Sequence, residues 1–526
     1  MSTHSTSSVA NTRTARPPTN YGIVVTDVFG PPVDNLEIAS ETYSNLWEIY
    51  MQNFDPLVKI LHIPTIQPVL AKASTNIDKA DDTTMALLCA VCFAAVSTIT
   101  KAQVVQRFIH GKSIILRHFM QEMDSRFMKA QLILRPNTLT LTALVIYLTA
   151  LKTHDATRTV WILTGLAKRI AESLGIHEDG ARLQLSPFDT EMRRRLWWHL
   201  TALEASAPEN HGFNATFTPH NHEFPLPNNI NDEEISPQMV EHATKNEGWT
   251  ETYFSILNLD LSRRLRSAVA TNSTSDFSVR VSLIEETEHI MSQQLSRFAD
   301  MNRPICRAAD ALLRISVLKA QFISTLQKWL SEGVVGGCQY SLLPQSIFAT
   351  AIKLLEDGYL LQSGNLFPNF AWFFQQHPQL YALFLVLRTL HVSPGRAEAD
   401  KAWFAVENYF TCLADFEEAA EMKGRTSCVW TALNLLRDKA RESRTKIGYS
   451  EQVLFPAASS SSGTDIESAK SVSKNPDLAP SFSTFESSMH LPFARVSQPG
   501  LDHLAFDDGL AWQDFTDWFN MDVSNF

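Results

Sequence analysis

Apolar residues recur at helical spacing along most of the chain between about residues 37 and 450, and strand-like alternation is scarce. Leu46, Trp47, Tyr50 and Phe54 follow one another at that spacing ahead of Pro56. Ala86 to Thr98 is apolar on nearly every side, which predicts a helix buried all round, and Leu139 to Leu151 and Val160 to Leu174 repeat the pattern. Gly175 stands where a helix C-terminal glycine belongs. Ser186-Pro-Phe-Asp-Thr190 predicts the next helix start: Ser186 or Asp189 accepts the free amides, and Pro187 suits the first turn. Pro208, Pro219, Pro225, Pro227 and Pro237, among many Asn and His, predict a long ordered loop over residues 205 to 240, packed on the helical body. Helices resume near residue 249. Later ones are predicted at Cys306 to Leu330, Leu343 to Leu361, Pro378 to Leu390, Ala402 to Met422 and Cys428 to Ser443, with Gly333-Val-Val-Gly-Gly337 as a loop between two of them. No convincing repeat of 34 or 40 residues is present.

The flanks read differently. Residues 1–36 are polar and Pro-containing, and they carry too little apolar surface to offset the entropy of ordering, so a disordered segment is expected. Residues 451–500 are a Ser/Pro-rich linker with four consecutive serines at 459 to 462. Residues 501–526 change character again: six aspartates and no Lys or Arg alternate with Phe506, Trp512, Phe515, Trp518 and Phe519.

Composition narrows the class. At 526 residues the chain exceeds one ordinary core and predicts two to four domains or subdomains, and 44% hydrophobic residues is globular. A net charge of -11 does not suggest a nucleic-acid binder, whose affinity comes from Lys and Arg neutralising phosphates, although a locally basic patch stays compatible with it. Cys89, Cys92, Cys306, Cys338, Cys412 and Cys428 are scattered, as expected of reduced intracellular thiols. The longest apolar run, Met85 to Val96, falls short of the ~20 residues a membrane span needs, so no membrane association is expected.

Few residues suggest chemistry. Glu191-Met-Arg-Arg-Arg-Leu-Trp-Trp198 puts Arg193, Arg194 and Arg195 one turn before Trp197 and Trp198 on a predicted helix. One reading sends the tryptophans into the core while the arginines pair with carboxylates; others make the triplet a nuclear-import or DNA-contacting patch, or a ligand contact. Cys89-x-x-Cys92 has metal spacing, but the next cysteine is Cys306 and the neighbours are apolar, so buried inert thiols are expected. His211, His220 and His222 read as loop histidines. No nucleophile elbow, phosphate loop, dinucleotide fingerprint or His-Glu-x-x-His is present, and neither enzymatic activity nor a cofactor is expected. In the tail, Trp512, Phe515 and Phe519 share a helical face, with Trp518 beside it. Such a segment docks into a partner's apolar groove as an activation domain does, or folds back on its own body.

Taken in order, Leu46 to Thr65, Met85 to Val96, Leu166 to Asp179, Glu191 to Trp198 and Phe224-Pro-Leu-Pro-Asn-Asn-Ile-Asn-Asp232 resemble the regulatory domain, or middle homology region, of fungal zinc-cluster transcription factors. Arg193, Arg194, Arg195, Trp197 and Trp198 are the signature positions. The resemblance implies an all-α fold, a large irregular helical array with disordered N- and C-terminal tails. The implied division is a regulatory domain over residues 37–300, a helical continuation of the same body over 301–450, the linker, and an activation-like tail. It also implies a nuclear regulator of metabolic or secondary-metabolite genes, with the transcription machinery or a DNA-binding protein as partner and a small-molecule effector. The family's six-cysteine cluster has no counterpart among these cysteines, so no DNA contact transfers to any residue here. Promoter contact is then indirect, or the cluster belongs to an upstream segment outside this sequence. The family's Ser-x-x-x-Gly-Arg-Pro element is replaced by residues ending in Gly212-Phe213-Asn214. The alternative function is a ligand-binding or scaffold protein that retains the fold.

Overall fold

A computed structural model of the chain describes residues 36–446, apart from residues 37, 109, 155–156, 212–223, 270–276, 336–342 and 422–427. The readings for the N-terminal tail, the linker and the acidic-aromatic tail fall on residues outside the described ones, as do His220, His222 and Gly212-Phe213-Asn214. The described residues are all-α.

The first half runs α1 (Ser40–Ile49), a π-helical turn (Tyr50–Phe54), α2 (Ile63–Thr75), α3 (Asp82–Thr98), α4 (Lys101–Arg107), α5 (Lys112–Lys129), α6 (Thr138–Leu151), α7 (Thr157–Ser173) and α8 (Pro187–His211). The second runs α9 (Tyr253–Val269), α10 (Phe277–Phe298), α11 (Pro304–Val335), α12 (Gln345–Gln362), α13 (Ala371–Gln375), α14 (Leu380–Val392), α15 (Ala399–Glu421) and α16 (Cys428–Lys446).

The centre is the pair α3 and α6, both lacking a polar face. Every residue of α3 from Thr84 to Thr98 is buried, and so is α6 from Thr140 to Leu151. Asp81 starts α3 by accepting the Thr84 amide at 2.9 Å, and Asn137 and Thr140 form a reciprocal cap on α6. Each fully buried Leu, Val or Phe on these helices contributes roughly 1.5–3 kcal/mol. The aromatic run from α1 continues inward: Tyr50 stacks on Phe54 at 5.2 Å, and Phe54 stacks on Trp372 of α13 at 4.9 Å.

Hydrophobic contacts divide into two cores. The first holds α1 to α10, the first part of α11, and α13. The second holds the later part of α11 with α12, α14, α15 and α16. α11 is 32 residues long, about 48 Å at 1.5 Å per residue, and serves both. The chain leaves the first core along α11, builds α12 in the second, returns through α13, and leaves again at α14. The return is anchored by Trp372 Nε1 donating to the Asn53 carbonyl at 3.1 Å and Gln376 Nε2 donating to the Thr149 carbonyl at 2.8 Å. No helix among the described residues is long and apolar enough to cross a membrane.

Three expectations need correction. Val160 to Leu174 is not buried all round: Ile162 is 56% exposed, and Lys168, Arg169 and Glu172 keep one flank of α7 polar, with Arg169 paired to Glu172 at 2.7 Å. The interruption expected from residue 205 begins later, because α8 runs to His211 despite Pro208, and its described part starts at Phe224. Gly333-Val-Val-Gly-Gly337 does not begin a loop at Gly333, since α11 extends to Val335. One glycine costs only ~1 kcal/mol in a helix, less than a long packed helix supplies.

Candidate functional site

The arginine helix is where the sequence motifs converge. The turn before it is local chemistry: Gly175 lies at φ +65°, its amide reaches the Glu172 carbonyl at 3.0 Å, and the Ile176 amide reaches that of Ala171 at 2.9 Å. This pair of hydrogen bonds closes α7 in a Schellman motif, which needs a left-handed residue and therefore favours glycine. Ser186 then caps α8, accepting the Asp189 amide at 3.0 Å while donating to the Asp189 carboxylate at 2.7 Å.

The three arginines have three different partners. Arg193 donates from Nη1 to the Gly175 carbonyl at 2.8 Å and from Nη2 to that of Leu174 at 3.3 Å, placing a cation at the C-terminal end of α7. Arg194 makes a two-pronged pair with Asp179, 2.8 Å on each side. Arg195 is 1% exposed and bonds Asp232 from Nη1 at 2.8 Å and Glu191 from Nε at 3.2 Å. Trp197 is buried against Phe224 at 6.0 Å, and Trp198 Nε1 donates to the Pro225 carbonyl at 2.8 Å. The motif Phe224 to Asp232 is thus the strap that α8 holds down.

Behind Arg195 lies a buried charge cluster. Lys59 Nζ is 2.7 Å from Asp55 and 3.0 Å from Asp232. Asp232 accepts the Ile63 amide at 2.9 Å, anchoring the start of α2, and its carbonyl meets His62 Nε2 at 2.9 Å. Glu191 accepts the Asn228 amide. Three buried carboxylates thus share two buried cations. Burial opposes every charge here, but Arg195 and Lys59 outweigh it at Asp232, whose carboxyl is held below its usual range. Glu191 and Asp232 likewise outweigh burial at Arg195 and hold its guanidinium above its ordinary value. At Asp55 burial wins over Lys59 and the carboxyl is pushed up to about 6, with Oδ1 lacking a partner among the described residues. His199, one turn on, donates from Nδ1 to the Arg195 carbonyl and accepts from Ser255 at Nε2; burial brings it down to about 4, so it is neutral.

The sequence brought the five signature positions together; Asp55, Lys59, Glu191 and Asp232 went unassigned. A signal existed, because Asp55 and Lys59 are charges four residues apart in the otherwise apolar run Phe54 to Leu61. Cys89 and Cys92 are buried free thiols in α3, and burial pushes Cys89 up to about 12. The tail residues Phe506, Trp512, Phe515, Trp518 and Phe519 lie outside the described residues.

Residues 47–347 match the family model of the fungal specific transcription factor domain. The chain is 26% identical over 517 residues to the C6 finger domain transcription factor nscR of Arthroderma otae, covering 93% of this chain and 71% of that protein. It is 24% identical over 427 residues to the Aurofusarin cluster transcription factor aurR2 of Gibberella zeae, covering 76% and 60%. It is 30% identical over 218 residues to the Pyriculol/pyriculariol biosynthesis cluster transcription factor 1 of Pyricularia oryzae, covering 41% and 29%. Against several relatives the matching stretch spans about half of their length, 50 to 60%.

Proposed function

The chain belongs to the fungal specific transcription factor domain family, and from that premise we propose that it regulates transcription of a secondary-metabolite gene cluster in the nucleus. The family match over more than half of the chain carries this reading. Relatives named for the aurofusarin and pyriculol/pyriculariol clusters supply the class of target. The helical body is the regulatory part. Its arginine triplet acts within the fold, since Arg193, Arg194 and Arg195 each hold a neighbouring segment and are not arrayed as a phosphate-binding face. The acidic tail is the partner-binding part: Trp512, Phe515 and Phe519 have the i, i+3, i+7 spacing that one helical face requires, and with Phe506 and Trp518 they supply the apolar groups for docking on the transcription machinery. Promoter contact runs through a DNA-binding partner protein or through a DNA-binding segment outside these 526 residues, and the chain is assigned no catalytic step. Chromatin immunoprecipitation of the tagged 526-residue chain in its own cell tests it. Enrichment at a cluster of biosynthetic promoters is expected, with target transcripts falling when residues 501–526 are deleted. A cytoplasmic chain with no enriched promoter overturns the proposal and favours a ligand-binding or scaffold relative.

A further inference from the structure

Beside the first core lies a cavity of about 210 Å³. Its lining comes from α8, α9, α11, the end of α12, α13 and the turn before α14, with the end of α6, Lys152 just after it, and Leu57 and Val58. We infer that this cavity is a binding site for a small amphiphilic organic anion, an aromatic acid of one or two rings carrying a hydroxyl group.

Size sets the first limit. A protein cavity of ~150 Å³ accepts benzene, so this one has room for a ring system somewhat larger. The wall chemistry sets the second. Leu265, Leu312, Ile315, Phe373 and Phe374 present a hydrophobic and aromatic surface that suits a flat apolar body.

Charge sets the third. Lys152, Arg266 and Lys319 all line the cavity, and no Asp or Glu is among its described lining residues. Lys152 is buried, and Arg266 and Lys319 are half-buried, so the charges are poorly screened by solvent. His199 adds no charge, being neutral. Arg266 also donates from Nε to the Ser262 carbonyl, and all three cations interact with their protein surroundings. An apolar wall that carries cations, with no Asp or Glu among its described lining residues, favours an anionic headgroup over a neutral or cationic one.

One further group asks for a donor. Gln362 lines the cavity and is 2% exposed; its Nε2 donates to Tyr409 Oη at 3.2 Å, while Oε1 has no partner among the described residues. A buried amide oxygen left unpaired costs about 1–3 kcal/mol, which a ligand hydroxyl would recover. Because the walls come from separate helices, an occupant would tie α8 and α9 to α12 and α13. The binding does not depend on the chain acting at promoters; only its regulatory consequence does.

Isothermal titration of the 526-residue chain with 6-hydroxy-2-naphthoate, 6-hydroxy-2-naphthamide and 6-hydroxy-2-naphthylmethylammonium tests this at pH 7.5. The acid is expected to bind at least tenfold tighter than the amide, and the ammonium weakest. Removing the hydroxyl, as 2-naphthoate, is expected to weaken binding several-fold. Lys319→Gln or Arg266→Gln is expected to weaken the acid five- to tenfold and the amide little. Ala320→Phe, which fills the cavity, is expected to abolish both. No binding of any probe at millimolar concentration, an ammonium as tight as the acid, or full binding by folded Ala320→Phe each overturns the inference. Should a variant fail to fold, the probe series on the native chain still decides.

Discussion

Arg195→Met is the sharpest probe of how this fold is held together. The guanidinium is 1% exposed, and methionine matches its stem in volume without its charge. Removing it strips Asp232 of the contact at 2.8 Å and Glu191 of the contact at 3.2 Å. Lys59 then stands alone against Asp55, Asp232 and Glu191 in the interior. Each lost charge-assisted hydrogen bond contributes about 1.5–3 kcal/mol, and cutting one member from a buried ionic cluster costs roughly 3–5 kcal/mol in total. The neighbours supply internal controls. Arg193→Met loses contacts to two carbonyls at a helix end and is expected to cost about 1 kcal/mol. Arg194→Met loses a partly exposed pair with Asp179 and should cost about 1–2 kcal/mol. Urea unfolding followed by tryptophan fluorescence is the assay, since Trp197 and Trp198 lie on the same helix. Arg195→Lys should recover only part of the loss, because an ammonium cannot hold both carboxylates in the geometry of the guanidinium fork. If Arg195→Met costs no more than Arg193→Met, the cluster is not a keystone of the fold and the reasoning from burial fails.

Other consequences follow from the same contacts. Asp55 has its carboxyl raised from 3.8 to about 6, so the native state holds that proton more tightly; its contribution falls as pH rises from about 4 to about 6, by an amount on the order of 3 kcal/mol. Asp55→Asn should remove that pH-dependent component, read as a flatter melting temperature between pH 4 and 6; an unchanged slope contradicts the assignment. A Cβ on Gly180 would sit 2.8 Å from the Thr190 Cα and 2.6 Å from its Oγ1, and backbone cannot yield as a side-chain end can. Gly180→Ala should therefore destabilise by about 1–3 kcal/mol, measured against wild type in urea. Cys89 and Cys92 are buried thiols with raised proton affinity, so iodoacetamide should label neither in the native chain and both in urea, read by peptide mass spectrometry.

Much of the fold was legible residue by residue, because the signals involved are local. The all-α class follows from helical spacing of apolar residues. The burial of α3 and α6 follows from the absence of any polar face, the turn at Gly175 from its glycine, and the start of α8 from Ser186 and Pro187. Each lies within a few residues of its cause. The same local reading overstated the burial of α7, because apolar residues such as Ile162 stay exposed when no neighbouring element covers them.

Only the tertiary structure decided which arginine does what. Adjacent arginines on a helix point in different directions, and Arg195 finds Asp232 37 residues away while Lys59 reaches the same carboxylate from the other side. Such partners are set by how α2, α8 and the strap meet, which no spacing rule encodes. The cavity is more remote still, since its walls span Leu57 to Gln379 and its charge comes from three separate elements. Local chemistry determined where helices begin, end and bury a face. Packing of distant segments decided where charge is trapped, and where space is left.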